Sequence, residues 1–234
     1  LIPKLPGKNN RNLIDIFKDI IVPPICAVCG KISFESLCGE CTSVIEEIRN
    51  KICIYCGRPL LLDDSDSRRC SHCRDEDFKF YRHRSFAIYK GKIKQIIAKY
   101  KYRRISALKK IIIAFLVRTY TQNYRDENID YMDTVPGHHM NVLCRGLSKS
   151  IRMPFAGNIL RVRNIPKQQG LDSAQRKSNI KGAFKVKNCL LTWKKNIMLV
   201  DDVWTTGSTL NEIAGILKKA GAAKIYLLTF ARRI

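Results

Sequence analysis

Acidic residues are scarce in this chain. It has 20 Asp and Glu among 234 residues against 43 Lys and Arg, a formal net charge of +23. Such a field favours polyanions: nucleic acid, an anionic membrane surface or a phosphorylated small molecule. Long hydrophobic runs are missing as well. No apolar stretch approaches the ~20 residues that span a bilayer, which excludes membrane insertion by a helix. The opening "LIPKLPGKNNRNLIDIFKDIIVPP" breaks its apolar positions with charge and leads into Pro-Pro, so it lacks a secretory layout. A cytoplasmic protein is expected. Low-complexity tracts are also absent, and a hydrophobic content of 45% excludes wholesale disorder. The length suits one good-sized domain plus a small one.

Cysteine is plentiful. Eight of the ten cysteines fall in four C-x-x-C pairs: Cys26/Cys29, Cys38/Cys41, Cys53/Cys56 and Cys70/Cys73. They form an internal repeat, "CAVCGK…CGEC" and then "CIYCGR…CSHC", with Gly30 and Gly57 directly after the first pair of each half. In a cytosolic chain such pairs point to metal rather than disulfides. Two thiolates at i and i+3 grip one tetrahedral ion, and the glycine permits the positive φ such a turn tends to need. Two pairs close one site, so the segment holds two structural zinc ions, with no open position for catalysis. Sequential pairing is simplest: Cys26, Cys29, Cys38 and Cys41, then Cys53, Cys56, Cys70 and Cys73. Spacing also permits a crossed arrangement. His72 reads as solvent-facing, and Cys144 and Cys189 as buried thiols.

Three segments follow: residues 1–21 as an N-terminal segment, 22–77 as the double zinc module, and 78–234 as an α/β domain. "RDEDFKF" forms a charged hinge near 74–80. Strands are expected at 85–89, 131–135, around 158–162, at 197–200 and at "KIYLLTF". A helical pattern runs from Gly91 to Gln122, and further helices cover 141–152 and "STLNEIAGILKKAG". This alternation means a mainly parallel sheet flanked by helices.

Charge is distributed unevenly. Between Phe78 and Arg125 there is no acid, and from Thr134 to Val200 Asp172 is the one acid. Against that background "IMLVDDVWTTGST" sets Asp201 and Asp202 side by side. An apolar strand delivers them to the sheet edge where open α/β sheets bind ligands. The small, hydroxyl-rich turn after them leads into a helix start, which suits a phosphate. Thr205, Thr206, Gly207, Ser208 and Thr209 would surround its oxygens. Carboxylates beside a phosphate need another part of the ligand, and ribose hydroxyls fit. A sugar phosphate is implied. Trp204 reads as packing beneath the loop.

"LVDDVWTTGST" resembles the phosphoribosyl diphosphate (PRPP) motif of type I phosphoribosyltransferases. With the four cysteine pairs, "QQGLDSAQRKSNIKGAF" (168–184), "AGAAKIYLLTFAR" (220–232) and "KYRR" (101–104), the chain resembles the ComF (competence protein F) family along nearly its whole length. The departure lies in "TVPGHHMNVLCRGLS", where Leu147 and Ser148 follow Arg145-Gly146 in place of the usual Phe and Asn. The resemblance implies a type I phosphoribosyltransferase-like domain that binds PRPP with Mg²⁺. Asp201 and Asp202 would hold ribose, one of them serving as proton acceptor, and Val203 and the loop would hold phosphate. Val135, Pro136 and His138, with His139, would lie in the diphosphate loop. Arg176, Lys177 and Lys181 would cover the leaving group. It also implies a role in natural transformation, on single-stranded DNA in the cytosol, alongside a DNA-uptake helicase or recombination proteins.

Three functions compete: a phosphoribosyltransferase with an unassigned acceptor, a nucleic-acid-binding protein that senses PRPP, and an adaptor built on the zinc module. Basic residues interleaved with rings in "AIYKGKIKQIIAKYKYRR" suit a strand-binding groove. Lys94, Lys99, Lys101, Tyr102, Arg103 and Arg104 are its candidates.

Overall fold

A computed structural model describes residues 23–49, 51–60, 68–75, 78–103, 105–163 and 178–234. Arg104, Arg176 and Lys177 lie outside the described residues, as does the N-terminal segment 1–21.

The elements are α1 (Gly39–Ser43), α2 (Ser71–Asp75), β1 (Arg82–Ile88), α3 (Gly91–Arg103), α4 (Ser106–Asn123), β2 (Tyr131–Thr134), α5 (His138–Ile151), β3 (Ile159–Arg161), β4 (Phe184–Val186), α6 (Cys189–Thr192), β5 (Asn196–Trp204), α7 (Ser208–Lys219) and β6 (Lys224–Arg232). Strands β1, β6, β5 and β2 lie side by side in that order, every neighbouring pair parallel. Central strands buried on both faces read as continuous apolar runs, which is why "IMLV" and "YLLTF" lack alternation. β3 and β4 form a separate antiparallel pair.

Two apolar layers sandwich the sheet. Ile96 and Ile97 of α3, Ile112 of α4 and Leu143 of α5 pack on Met198, Val200 and Leu228. Leu210, Ile213 and Leu217 of α7 cover Ile197, Leu199 and Leu227 on the opposite face. Both outer strands are capped. Ile48 N donates to Phe86 O at 2.9 Å, and Ile88 N to Glu46 O at 3.0 Å, so the segment between the two cysteine groups shields β1. Met132 N bonds Pro154 O at 2.8 Å beside β2. Covered edges remove a template for strand addition. Among the described residues no helix is long and apolar enough to cross a membrane.

Several expectations shift. The helical pattern from Gly91 to Gln122 is two helices, α3 and α4. α5 begins at His138, so both histidines lie in its first turn rather than in a loop. β5 continues through the acid pair to Trp204 instead of ending at Val200. Cys144 is buried as expected, whereas Cys189 is exposed, because it opens the short surface helix α6.

Candidate functional site

The cysteines gather into two sets of four, in sequential order. In each set, Cys26, Cys29, Cys38 and Cys41 or Cys53, Cys56, Cys70 and Cys73, all sulfurs lie within 4.8 Å of one another. Tetrahedral zinc with Zn–S bonds of about 2.3 Å requires a sulfur–sulfur edge of about 3.8 Å. Cys29 to Cys38 and Cys56 to Cys70 are both 3.6 Å, so the donor sets fit zinc. The two turns are duplicates. Gly30 N donates to Cys26 O at 2.9 Å and Gly57 N to Cys53 O at 3.0 Å. Cys26 N and Cys53 N each return a bond of 2.8 Å, to Lys31 O and Arg58 O. Gly30 has φ +79° and Gly57 +65°, as the turn demands. His72 is exposed and meets Phe78 edge-on at 5.8 Å, outside the donor set.

At the end of β5, Asp202 is buried. Its Oδ2 accepts from Lys101 Nζ at 2.6 Å and lies 3.1 Å from His139 Nε2. Burial works to raise its pKa, but His139 and Lys101 outweigh burial and hold the carboxyl below its usual range. Asp201 goes the other way: burial and then the charge of Asp202 push it up to about 8. The two neighbours therefore differ in protonation near neutrality, one ionised and one a proton holder.

The next turn crosses the indole of Trp204. A Cβ on Gly207 would sit 2.2 Å from Trp204 Cζ2, and φ is +79° there, so only glycine fits. Gly207 is also the N-cap of α7 and has no side chain of its own to cap it. Ser208 N reaches Thr206 Oγ1 at 3.4 Å and Asn211 N bonds Gly207 O at 2.8 Å, which leaves the amides of Thr209 and Leu210 for a ligand. Thr206 and Ser208 hydroxyls lie 2.8 Å apart, while Thr205 is exposed and Thr209 half-buried. Val203 packs partly into the α3–α5 layer. Lys181 borders a pocket of about 350 Å³ with Phe78, Lys79, Thr206, Gly207 and Ser208.

Of the residues placed in the diphosphate loop, Val135 packs under the α7 layer and Pro136 O accepts from Arg161 at 3.2 Å. His138 is exposed; its neighbour His139 reaches the acid pair. The basic stripe on α3 is not one open face. Lys99 Nζ donates to Val28 O at 2.6 Å and to Ala27 O at 3.4 Å, on the first cysteine turn. Lys101 is engaged by Asp202. Lys94 sits 5.7 Å above the ring of Tyr89, and Tyr102 and Arg103 face solvent. Sequence reasoning missed Lys101 as the cation of the acid pair, although a lone acid pair in a basic chain needs one nearby. It also missed His83 and Arg232, buried polar residues in strands, for which the sequence carries no clear signal.

Residues 17–74 match the double zinc ribbon domain family. The chain is 25% identical over 232 residues to the DNA utilization protein YhgH of Salmonella typhimurium, covering 92% of this chain and 100% of that one. It is 27% identical over 221 residues to competence protein F of Haemophilus influenzae, covering 86% of this chain and 92% of the relative. Among solved structures, 52% of the chain overlays loosely on 26% of the glutamine PRPP amidotransferase of B. subtilis, at 17% identity and a TM-score of 0.39. Similarity along nearly its full length makes the protein a homologue of the competence F and DNA utilization proteins, with a double zinc ribbon ahead of a parallel α/β sheet.

Proposed function

We propose that the chain binds a PRPP-type sugar phosphate at the end of β5 and serves the use of single-stranded DNA. The observation that carries the ligand reading is the succession along one strand end: two carboxylates, a buried indole, then a glycine-capped, hydroxyl-rich helix start. Ribose hydroxyls would donate to Asp201 and to Asp202, where the sugar competes with Lys101 and His139. The 5-phosphate would lie on Thr205–Thr209 against the open amides of α7. Lys181 stands beside that loop and would meet the diphosphate, with Arg176 and Lys177 following it in the same role. The crowded carboxylates also suit a hard cation, and Mg²⁺ bound with the diphosphate would neutralise its charge. Breaking the C1–diphosphate bond leaves negative charge on the departing group, so positioning and charge do most of the work. Asp201, pushed up to about 8, is the more basic of the two and, once ionised, the better proton acceptor. The DNA role rests on the net charge and on the kinship with competence and DNA utilization proteins.

Calorimetry with PRPP and Mg²⁺ tests the ligand. The wild-type chain should bind, and Asp201→Asn/Asp202→Asn should lose binding while keeping its far-UV circular dichroism. Equal affinity in the double variant rejects the site. Diphosphate release with candidate acceptors then separates an enzyme from a sensor. Binding of oligo-dT that weakens steeply with salt supports the DNA role, and salt-independent or absent binding removes it.

A further inference from the structure

His83 lies in β1 and is wholly buried. Its Nδ1 is 2.9 Å from the carbonyl oxygen of Cys56, a ligand of the second cysteine cluster. A carbonyl only accepts, so Nδ1 carries the proton and Nε2 is the acceptor. Nε2 in turn lies 2.9 Å from Thr229 Oγ1 and 3.1 Å from Ser85 Oγ, hydroxyls able to donate to it. Arg232 Nη1 donates to the same Cys56 carbonyl. One carbonyl on a metal-ligating residue thus holds two buried side chains of the sheet.

The other face of the His83 ring is stacked on Trp204, centroid to centroid 4.4 Å with planes 22° apart. Phe80 meets the indole edge-on at 5.5 Å and Phe78 at 5.8 Å, so its position is fixed from three sides. Gly207 rests on the far edge of the same indole, too close for any side chain. A continuous line of contact therefore runs from Cys56 through His83 and Trp204 to the turn that opens α7.

We propose that His83 and Trp204 are positioning residues through which the metal-loaded second cysteine cluster sets the shape of the 205–209 loop. Without the ion the Cys53–Cys56 turn keeps its two backbone bonds but loses its tether to Cys70 and Cys73, so the Cys56 carbonyl is no longer fixed against β1. His83 then loses its acceptor and the indole its lower support. A loop that must match phosphate oxygens loses affinity steeply when displaced by about 1 Å. The consequence for ligand binding rests on the sugar-phosphate reading above; the consequence for Trp204 does not.

The chain has two tryptophans, and Trp193 is 61% exposed whereas Trp204 is 2% exposed. In a Trp193→Phe background, fluorescence therefore reports on Trp204 alone. The first measurement uses no sugar phosphate. Zinc is withdrawn with a chelator while acrylamide quenching and far-UV circular dichroism are followed. Quenching of Trp204 should rise with zinc loss while the helical signal persists. Unchanged quenching after full zinc removal overturns the proposal. The second measurement is PRPP–Mg²⁺ affinity by calorimetry with zinc content determined in parallel. His83→Ala and Trp204→Ala should keep two zinc equivalents yet bind about tenfold more weakly, while Trp204→Phe, which retains a ring, stays within about threefold of the parent. Parent-like affinity in both alanine variants also overturns it. If the parent itself binds no PRPP, the sugar-phosphate reading falls, and the quenching measurement alone decides whether the relay exists.

Discussion

In the first cysteine cluster Cys29 is exposed and Cys38 half-buried, whereas all four cysteines of the second are buried. The turns are the same, so the contrast comes from their surroundings. The first cluster sits against α3, where Lys99 ties its carbonyls down and Lys101, half a turn on, holds Asp202. The second sits against β1 and β6, where Arg84 donates to Ile54 O at 3.1 Å and Arg232 to Cys56 O. Neither arginine has a carboxylate partner among the described residues, and a zinc ion with four thiolates carries net negative charge to set against them. The two ribbons thus brace different halves of the candidate site. One reaches the Asp201–Asp202 pair through a helix, the other the 205–209 loop through a ring stack. A duplicated motif need not have a duplicated job.

Ligand removal should break this symmetry most strongly. A structural zinc site contributes about 10–16 kcal/mol in isolated fingers. Cys56→Ser should lose one zinc equivalent and melt far below the parent, with its helical signal retained at low temperature. Cys29→Ser should also lose one zinc, yet keep a cooperative unfolding transition of the sheet, because its cluster is partly exposed. Elemental analysis and calorimetric melting decide it; equal melting curves would erase the distinction.

The paired glycines offer a gentler probe. A Cβ on Gly30 meets nothing within 4 Å, whereas one on Gly57 would lie 2.7 Å from His83 O. Gly30→Ala then costs the left-handed backbone alone, about 1–2 kcal/mol. Gly57→Ala adds a clash with backbone that cannot swing aside, and should cost several kcal/mol by chemical denaturation. Similar losses for both would mean that the second turn is not seated on β1 as tightly as these distances require.

The sequence makes some of this legible and hides the rest for physical reasons. Paired cysteines at fixed spacing carry their own geometry, so the eight ligands could be named without the fold, whereas their sequential rather than crossed grouping is set by packing. Strand β5 and the glycine turn were readable because a buried parallel strand and a helix start have local signatures. The environment of each residue was not. Lys99 and Lys101 look like solvent-facing charge in a basic run. What turns them inward is the position of α3 between the first ribbon and β5, a long-range arrangement with no local signal. His138 and His139 are adjacent and alike in sequence; the helix start at Gly137 exposes one and aims the other at Asp202. Charge counting finds polyanion affinity, and only packing shows which cations are already engaged.

Lys99 itself provides the next test. Lys99→Met removes charge-assisted bonds to Ala27 and Val28 carbonyls, each of the kind that contributes about 1.5–3 kcal/mol. Its methylene stem would still pack, so the expected loss is near the lower end, with both zinc ions retained. Loss of zinc in this variant would show that the first ribbon depends on α3 for its metal, and not merely for its seat.

The last effect expected is a pH slope, and it reads the Asp201–Asp202 pair. Asp201 keeps its proton in the folded state up to about 8, while in the unfolded chain it ionises near the ordinary aspartate value of 3.8. Across that window the folded state binds more protons, so stability falls as pH rises. Asp202 has the opposite sign: its folded pKa is depressed, so its contribution is present at neutral pH and fades as pH drops into the acid range. Between pH 5 and 8 Asp202 is ionised in both states, so the decline in that window is carried by Asp201, with Lys101 beside the pair acting against it. Asp201→Asn should flatten it, as seen by urea unfolding at the two pH values. Lys99→Met should steepen it, because a loosened α3 carries Lys101 away from both carboxylates and lets burial and mutual repulsion dominate. Cys29→Ser, which frees the turn that Lys99 holds, should act in the same direction. A slope indifferent to Asp201→Asn would place the proton elsewhere and remove Asp201 as the acceptor.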